Sequence, residues 1–168
     1  MKNPFDHDAI ESMGLRGLGD APIETLAAYV YYAESIIEPQ ISSIDADLPI
    51  HDRLLEATLI LFDTMLPDKA AIKRISPDML SSPCIVKDFV PLAHGFFTRL
   101  FCQLSLAPND FASKARLHMY TAYFNHWLHI WLSDETPDQS DTMAAIDQDL
   151  NQLREWKEWI MNAVPLNF

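Results

Sequence analysis

Along most of the chain the apolar residues recur at intervals of three and four, and no stretch alternates convincingly at two, so the pattern predicts an all-α protein. Proline and glycine punctuate it. A first helix is predicted from about Pro22 to Ile44, with Leu26, Val30, Ala33 and Ile37 on one face and Pro39 as a bend or an end. Asp47-Leu48-Pro49 then offers a capped, proline-led start, followed by an amphipathic stripe of Ile50, Leu54, Ala57 or Thr58, Leu61, Phe62 and Met65. A short helix is predicted from Pro67-Asp68 to about Ser76, with further starts at Ser76-Pro77 and Ser82-Pro83. Between Cys84 and Leu106 the residues Val86, Phe89, Val90, Leu92, Phe96, Phe97, Leu100, Phe101 and Leu104 occupy most of the circumference, which predicts a buried helix kinked at Pro91. Two long helices complete the series of six, from Asn109 to Leu132 and from Ser140 to about Ala163.

The penultimate helix has two apolar faces. One carries Leu117, Tyr120, Phe124, Leu128 and Trp131; the other carries Phe111, Ala115, Met119, Ala122, His126 and Ile130. The last helix repeats Met143, Ile146, Leu150 and Leu153 at three-four spacing and continues to Trp156, Trp159 and Ile160. Leaving both helices bare would expose a large apolar patch, so the pattern predicts a homodimer in which they and their copies form a four-helix bundle. The predicted interface consists of Met119, Ala122, His126, Ile130, Met143, Ile146, Leu150 and Leu153. A single larger monomeric core is the alternative.

Charge narrows the choice of partner. The chain of 168 residues has a formal net charge of -12, and its first fifty residues carry only Lys2 and Arg16 as basic groups. A protein that reads a phosphate backbone replaces condensed counterions with Lys and Arg, so no nucleic-acid binding is expected of this chain alone. Met1 to Ser12 has neither the apolar run of a secretory signal nor the basicity of a transit peptide, and no apolar stretch reaches membrane-spanning length. A cytoplasmic protein is expected. Three of the four glycines, Gly14, Gly17 and Gly19, fall in an acidic arm over residues 1–21, where Asp20 offers a cap to the helix led by Pro22; residues 22–168 form one domain. Cys84 and Cys102 are too few for a disulfide framework, and Cys102 lies in an apolar helical stretch, where a thiol acts as a small hydrophobe.

The run from Trp131 to Asp147, Trp-Leu-Ser-Asp-Glu-Thr-Pro-Asp-Gln-Ser-Asp-Thr-Met-Ala-Ala-Ile-Asp, resembles the segment joining the last two helices in the regulatory domains of one group of TetR-type transcription factors. His51-Asp52-Arg53-Leu54-Leu55 followed by Leu61-Phe62-Asp63 resembles an early helix of the same domains. The likeness covers roughly Leu26 to Trp159 and implies a TetR C-terminal-domain-like helical bundle, dimerising through its last two helices and binding a small hydrophobic effector. A related pattern occurs in the lipid-binding accessory proteins of coenzyme Q biosynthesis, which implies a lipid or quinone ligand as the alternative. The helix-turn-helix that precedes such domains has no counterpart in the acidic arm, so a regulatory domain without a DNA-binding head is expected.

Aromatic residues that line both core and cavity in such a domain would be the pocket walls. The candidates are Phe62, Met65, Phe96, Phe97, Phe101, Tyr120, Tyr123, Phe124 and Trp127, with His94 and Asn125 as polar anchors; dense packing without a cavity is the competing reading. His94, His118, His126 and His129 are candidate metal ligands, and the last three offer a third reading, a metal-dependent helical enzyme, but no Glu-x-x-His or His-Glu-x-x-His signature accompanies them. The acidic turn Asp134 to Asp141 lacks the central glycine and closing Glu of a calcium loop and is better explained as capping, with Ser140 offering an oxygen. Nucleophile-elbow, P-loop and dinucleotide glycine patterns are absent. No enzymatic activity, cofactor or metal is expected.

Overall fold

The computed structural model describes residues 22–74 and 83–163, with side-chain surroundings for 27–74 and 87–153. The arm 1–21 with the Asp20 cap, the Leu26 contact, the starts at Ser76 and Ser82, Cys84 and Val86, and the aromatic end of the last helix at Trp156, Trp159 and Ile160 lie outside these residues. Among the described residues there is no strand. Five long helices, α1 (Pro22–Ile41), α2 (Ile50–Met65), α3 (Pro83–Gln103), α4 (Phe111–Ser133) and α5 (Ser140–Ala163), are joined by a 3-10 turn at Leu66–Asp68 and a helical stretch at 69–74.

The protein is therefore an all-α helical bundle. Its helices close a ring: α1 packs on α2 and α3, α2 also on α5, α5 on α4, and α4 on α3. Inside lies one hydrophobic cluster to which every helix contributes, from Tyr29, Ile37 and Ile41 of α1 to Ile146 and Leu150 of α5. The predicted stripe of α2 is buried at Leu54, Ala57, Thr58, Leu61, Phe62 and Met65, as the 3.6-residue period requires.

Local corrections follow from where backbone groups find partners. Pro39 neither ends nor leaves α1, which runs to Ile41; so near the end, the missing N–H removes little of the ladder. Asp47 does not cap α2, since the residue before the helix is Pro49 with no side-chain cap, and Asp45 Oδ1 instead accepts from the Asp47 amide at 2.9 Å. The burial predicted along all of α3 holds for Phe96, Phe97, Leu100 and Phe101, while Phe89 and Leu92 are half-buried and Val90 is 53% exposed. Cys102, expected to be buried, is exposed.

Arg53 is a buried cation that the hydrophobic pattern could not reveal. Its Nη1 donates to Leu104 O at 2.7 Å. The end of α3 is closed around that carbonyl by Leu106 N to Phe101 O (2.8 Å) and Ser105 N to Cys102 O (3.1 Å), with Ser105 left-handed at φ 58°. The guanidinium thus sits at the negative end of a helix, where a cation is favoured.

At the centre, Thr58 donates to Leu54 O at 2.5 Å, so its oxygen is left to accept from the Tyr120 hydroxyl at 2.7 Å. Both residues are fully buried, and burial pushes the Tyr120 phenol well above its usual range against the smaller opposing effect of Thr58. Thr58→Val strands the buried Tyr120 hydroxyl and should cost about 1–3 kcal/mol, whereas the pair Thr58→Val with Tyr120→Phe should recover much of that loss. Urea unfolding of the double-mutant cycle checks this, and additive losses would refute the coupling.

Candidate functional site

Three groupings of the predicted residues emerge, and they have different consequences. The first is the aromatic set. Phe62, Met65, Phe96, Phe97, Phe101, Tyr120 and Trp127 are buried, and Tyr123 and Phe124 pack half-buried against them. Their rings touch in a continuous network: Phe124 lies 5.4 Å from Phe62 and 4.8 Å from Phe97, while Tyr120 lies 5.3 Å from Phe97, 5.2 Å from Phe101 and 5.4 Å from Trp127. These centroid separations are those of packed aromatic pairs, so each ring occupies the space its neighbour would otherwise face. Of the two polar anchors, Asn125 is exposed and donates to Thr121 O one turn back, so it does not face the rings; His94 is half-buried at another edge, beside His118.

The second grouping is the α4–α5 junction. Asp134 is 6% exposed and accepts from the Thr142 amide at 2.9 Å, the Thr142 hydroxyl at 2.7 Å, the Thr136 amide at 2.9 Å and the Thr136 hydroxyl. Burial pushes this carboxyl up, but the four donors together outweigh it and hold the group well below the usual carboxylate range. Capping of α5 was predicted from Ser140; the structure assigns it to Asp134, eight positions before Thr142, because the turn folds back over the helix start. Lys69 Nζ donates to Asp134 O at 2.6 Å and stands 5.0 Å over the Trp131 ring. Trp131 Nε1 donates to Gln139 Oε1 at 2.6 Å, and Gln139 reaches Asp63 on α2 at 3.3 Å.

Here the two stretches that carry the family resemblance meet. Besides the Gln139–Asp63 bond, Phe62 and Trp131 rings lie 5.4 Å apart, and His51 Nε2 stands 3.4 Å from Asp147 Oδ1 without the alignment of a hydrogen bond. His51 Nδ1 is 3.0 Å from Asp52. These motif residues bind α2 to α5 and close the turn, which makes them structural in this chain.

The third grouping is the outward side of α4. The core face is buried at Leu117, Tyr120, Trp127 and Trp131, with Phe124 and Leu128 packed against the cluster. Phe111, Ala115, Met119, Ala122, His126 and Ile130 fall within an arc of about 100° on the opposite side. Phe111 is 84% exposed, Ala122 and His126 are exposed, and Ala115, Met119 and Ile130 are half-buried. Met143 of α5 is 40% exposed. His126 Nε2 lies 3.9 Å from Asp149, whose carboxylate accepts from Trp127 Nε1 at 2.9 Å.

The predicted dimer seam therefore needs correction. Ile146 and Leu150 are 0% and 3% exposed and half-buried Leu153 packs against the same cluster, so α5 turns the middle of its three-four stripe into its own chain. Ile146 and Leu150 are closed to a partner, while Met119, Ala122, His126, Ile130, Met143 and half-buried Leu153 keep accessible surface. The three histidines of the alternative metal-enzyme reading do not converge: His118 and His129 stand eleven positions apart on one helix, about 16 Å along its axis. Among the described residues no group of three or more metal-ligating side chains comes together, and no helix is long and apolar enough to cross a membrane.

Comparison with known proteins gives no matching family model and no matching curated relative.

Proposed function

We propose that this chain is a TetR-like regulatory-type domain that works as a homodimer, the two copies joined through the outward face of α4. The observation that carries the reading is the division of α4: its core face is consumed inside the bundle, and the opposite face keeps an apolar stripe with Phe111 at one end and Ile130 at the other. Two such stripes, small at Ala115 and Ala122, let paired helices approach closely about a two-fold axis, where the same patch serves both copies. The contacts between the two motif stretches lend further support, because they give the family-like residues a shared task. A small hydrophobic effector, or a lipid in the manner of the coenzyme Q accessory proteins, would have to part rings already in contact. Self-association is thus the element of the reading that the geometry supports best.

Sedimentation equilibrium tests it. The native chain should run as a dimer, and Ala122→Glu, which places a charge on an exposed position, should give a monomer with unchanged helical circular dichroism. A monomeric native chain, or a dimer that persists with Ala122→Glu and Ile130→Glu together, overturns the proposal.

A further inference from the structure

We infer that His94 and His118 form a two-imidazole site for a divalent cation of the zinc, nickel or copper type. The two residues come from different helices, α3 and α4, and their ring centres lie 4.8 Å apart with the planes inclined by 39°. With metal–nitrogen bonds of about 2.1 Å extending outward from each ring, two imidazoles sharing one ion have centres about 4.6–5.3 Å apart for angles between a right angle and a tetrahedral one. The observed separation falls in that interval.

The state of His94 supplies a second, independent observation. Its Nε2 is buried and has no hydrogen-bonding partner in the protein. On the other side of the ring, Nδ1 is 3.4 Å from the Thr98 hydroxyl, whose own hydrogen goes to His94 O at 2.7 Å. That hydroxyl therefore presents a lone pair to Nδ1, which favours the tautomer with hydrogen on Nδ1 and a bare lone pair on Nε2. This is how an outer hydroxyl orients a ligating imidazole. A buried acceptor without a donor is unfavourable, and a metal ion is an acceptor of just such a lone pair.

Chemistry narrows the ion. Neutral imidazoles suit the borderline dications, while calcium and magnesium require oxygen ligands. Among the described residues no third His, Cys, Asp or Glu joins the pair, so the expected affinity is modest. His118 is exposed and gives the ion its route from solvent.

Isothermal titration of chelator-stripped full chain with nickel chloride or zinc chloride alone is the test. One ion should bind per chain, His118→Ala and His94→Ala should each weaken it about tenfold or more, and His129→Ala should leave it unchanged. Copper loading adds a spectroscopic readout, since electron paramagnetic resonance should show two nitrogen ligands in the native chain and one in His118→Ala. His118 is exposed, so its replacement keeps the test meaningful if His94→Ala fails to fold. Absence of binding to the native chain, or binding that survives both single substitutions, overturns the assignment.

Discussion

Leu150→Glu is expected to abolish the folded state. Leu150 is 3% exposed and belongs to the central cluster, on the helix that packs against both α2 and α4. Removing a buried leucine costs about 2–5 kcal/mol. An unpaired carboxylate in its place adds a desolvation penalty of several kcal/mol, or a shifted ionisation at comparable cost. The sum approaches the roughly 5–15 kcal/mol that a domain has in total. The variant should show no cooperative thermal transition by circular dichroism and should aggregate on expression, and Leu150→Ala should fold with a lowered midpoint. The contrast with Ala122→Glu separates core from surface on neighbouring helices. A well-folded Leu150→Glu monomer would mean that α5 belongs to a subunit seam after all.

The second large effect lies at Asp134. Replacing it with alanine leaves the amides of Thr136 and Thr142 without their acceptor at the start of α5, and the loss should be about 2–4 kcal/mol in chemical unfolding. The pH dependence has a definite sign. The folded-state carboxyl lies below its unfolded value of about 3.9, so its contribution is fully present at neutral pH and is lost as pH falls through and below that value. Asp134→Asn should therefore be less stable than the native chain at pH 7 and closer to it at pH 3. Equal differences at the two pH values would show that the carboxylate charge is not what holds the turn.

Much of the fold was legible along the chain. The buried stripe of α2 from Leu54 to Met65 follows directly from its three-four spacing, and the limits of α5 at Ser140 and Ala163 were those predicted along the chain. The aromatic set was also identifiable as a set, since its members lie at helical spacing on three helices. What could not be read was which polar residues would be drawn inward. Arg53 is buried because α3 ends against it, and Asp134 because the turn after α4 folds back over α5; both depend on partners far off in sequence or on a reversal of the chain.

The same limit applies to the site. His94 and His118 were each visible, but their sequence separation gives no hint that α3 and α4 bring their rings to 4.8 Å. The three-four rule also gave α4 two apolar faces and α5 one, and it gave no means of deciding which of them faced inward.

The sequence by itself determined the helical class, the approximate helix limits, the acidic charge that opposes nucleic acid and the apolar residues available for burial, because period, proline punctuation and charge are local properties of the chain. Only the tertiary structure decided how those residues were spent. Closing five helices into a ring used Ile146 and Leu150 of the α5 stripe and one face of α4, turned Cys102 and Val90 to the surface, and left the other face of α4 outward. Periodicity states that a face is apolar; which neighbour covers it is fixed by packing between distant segments, and that information resides in no single stretch of the chain.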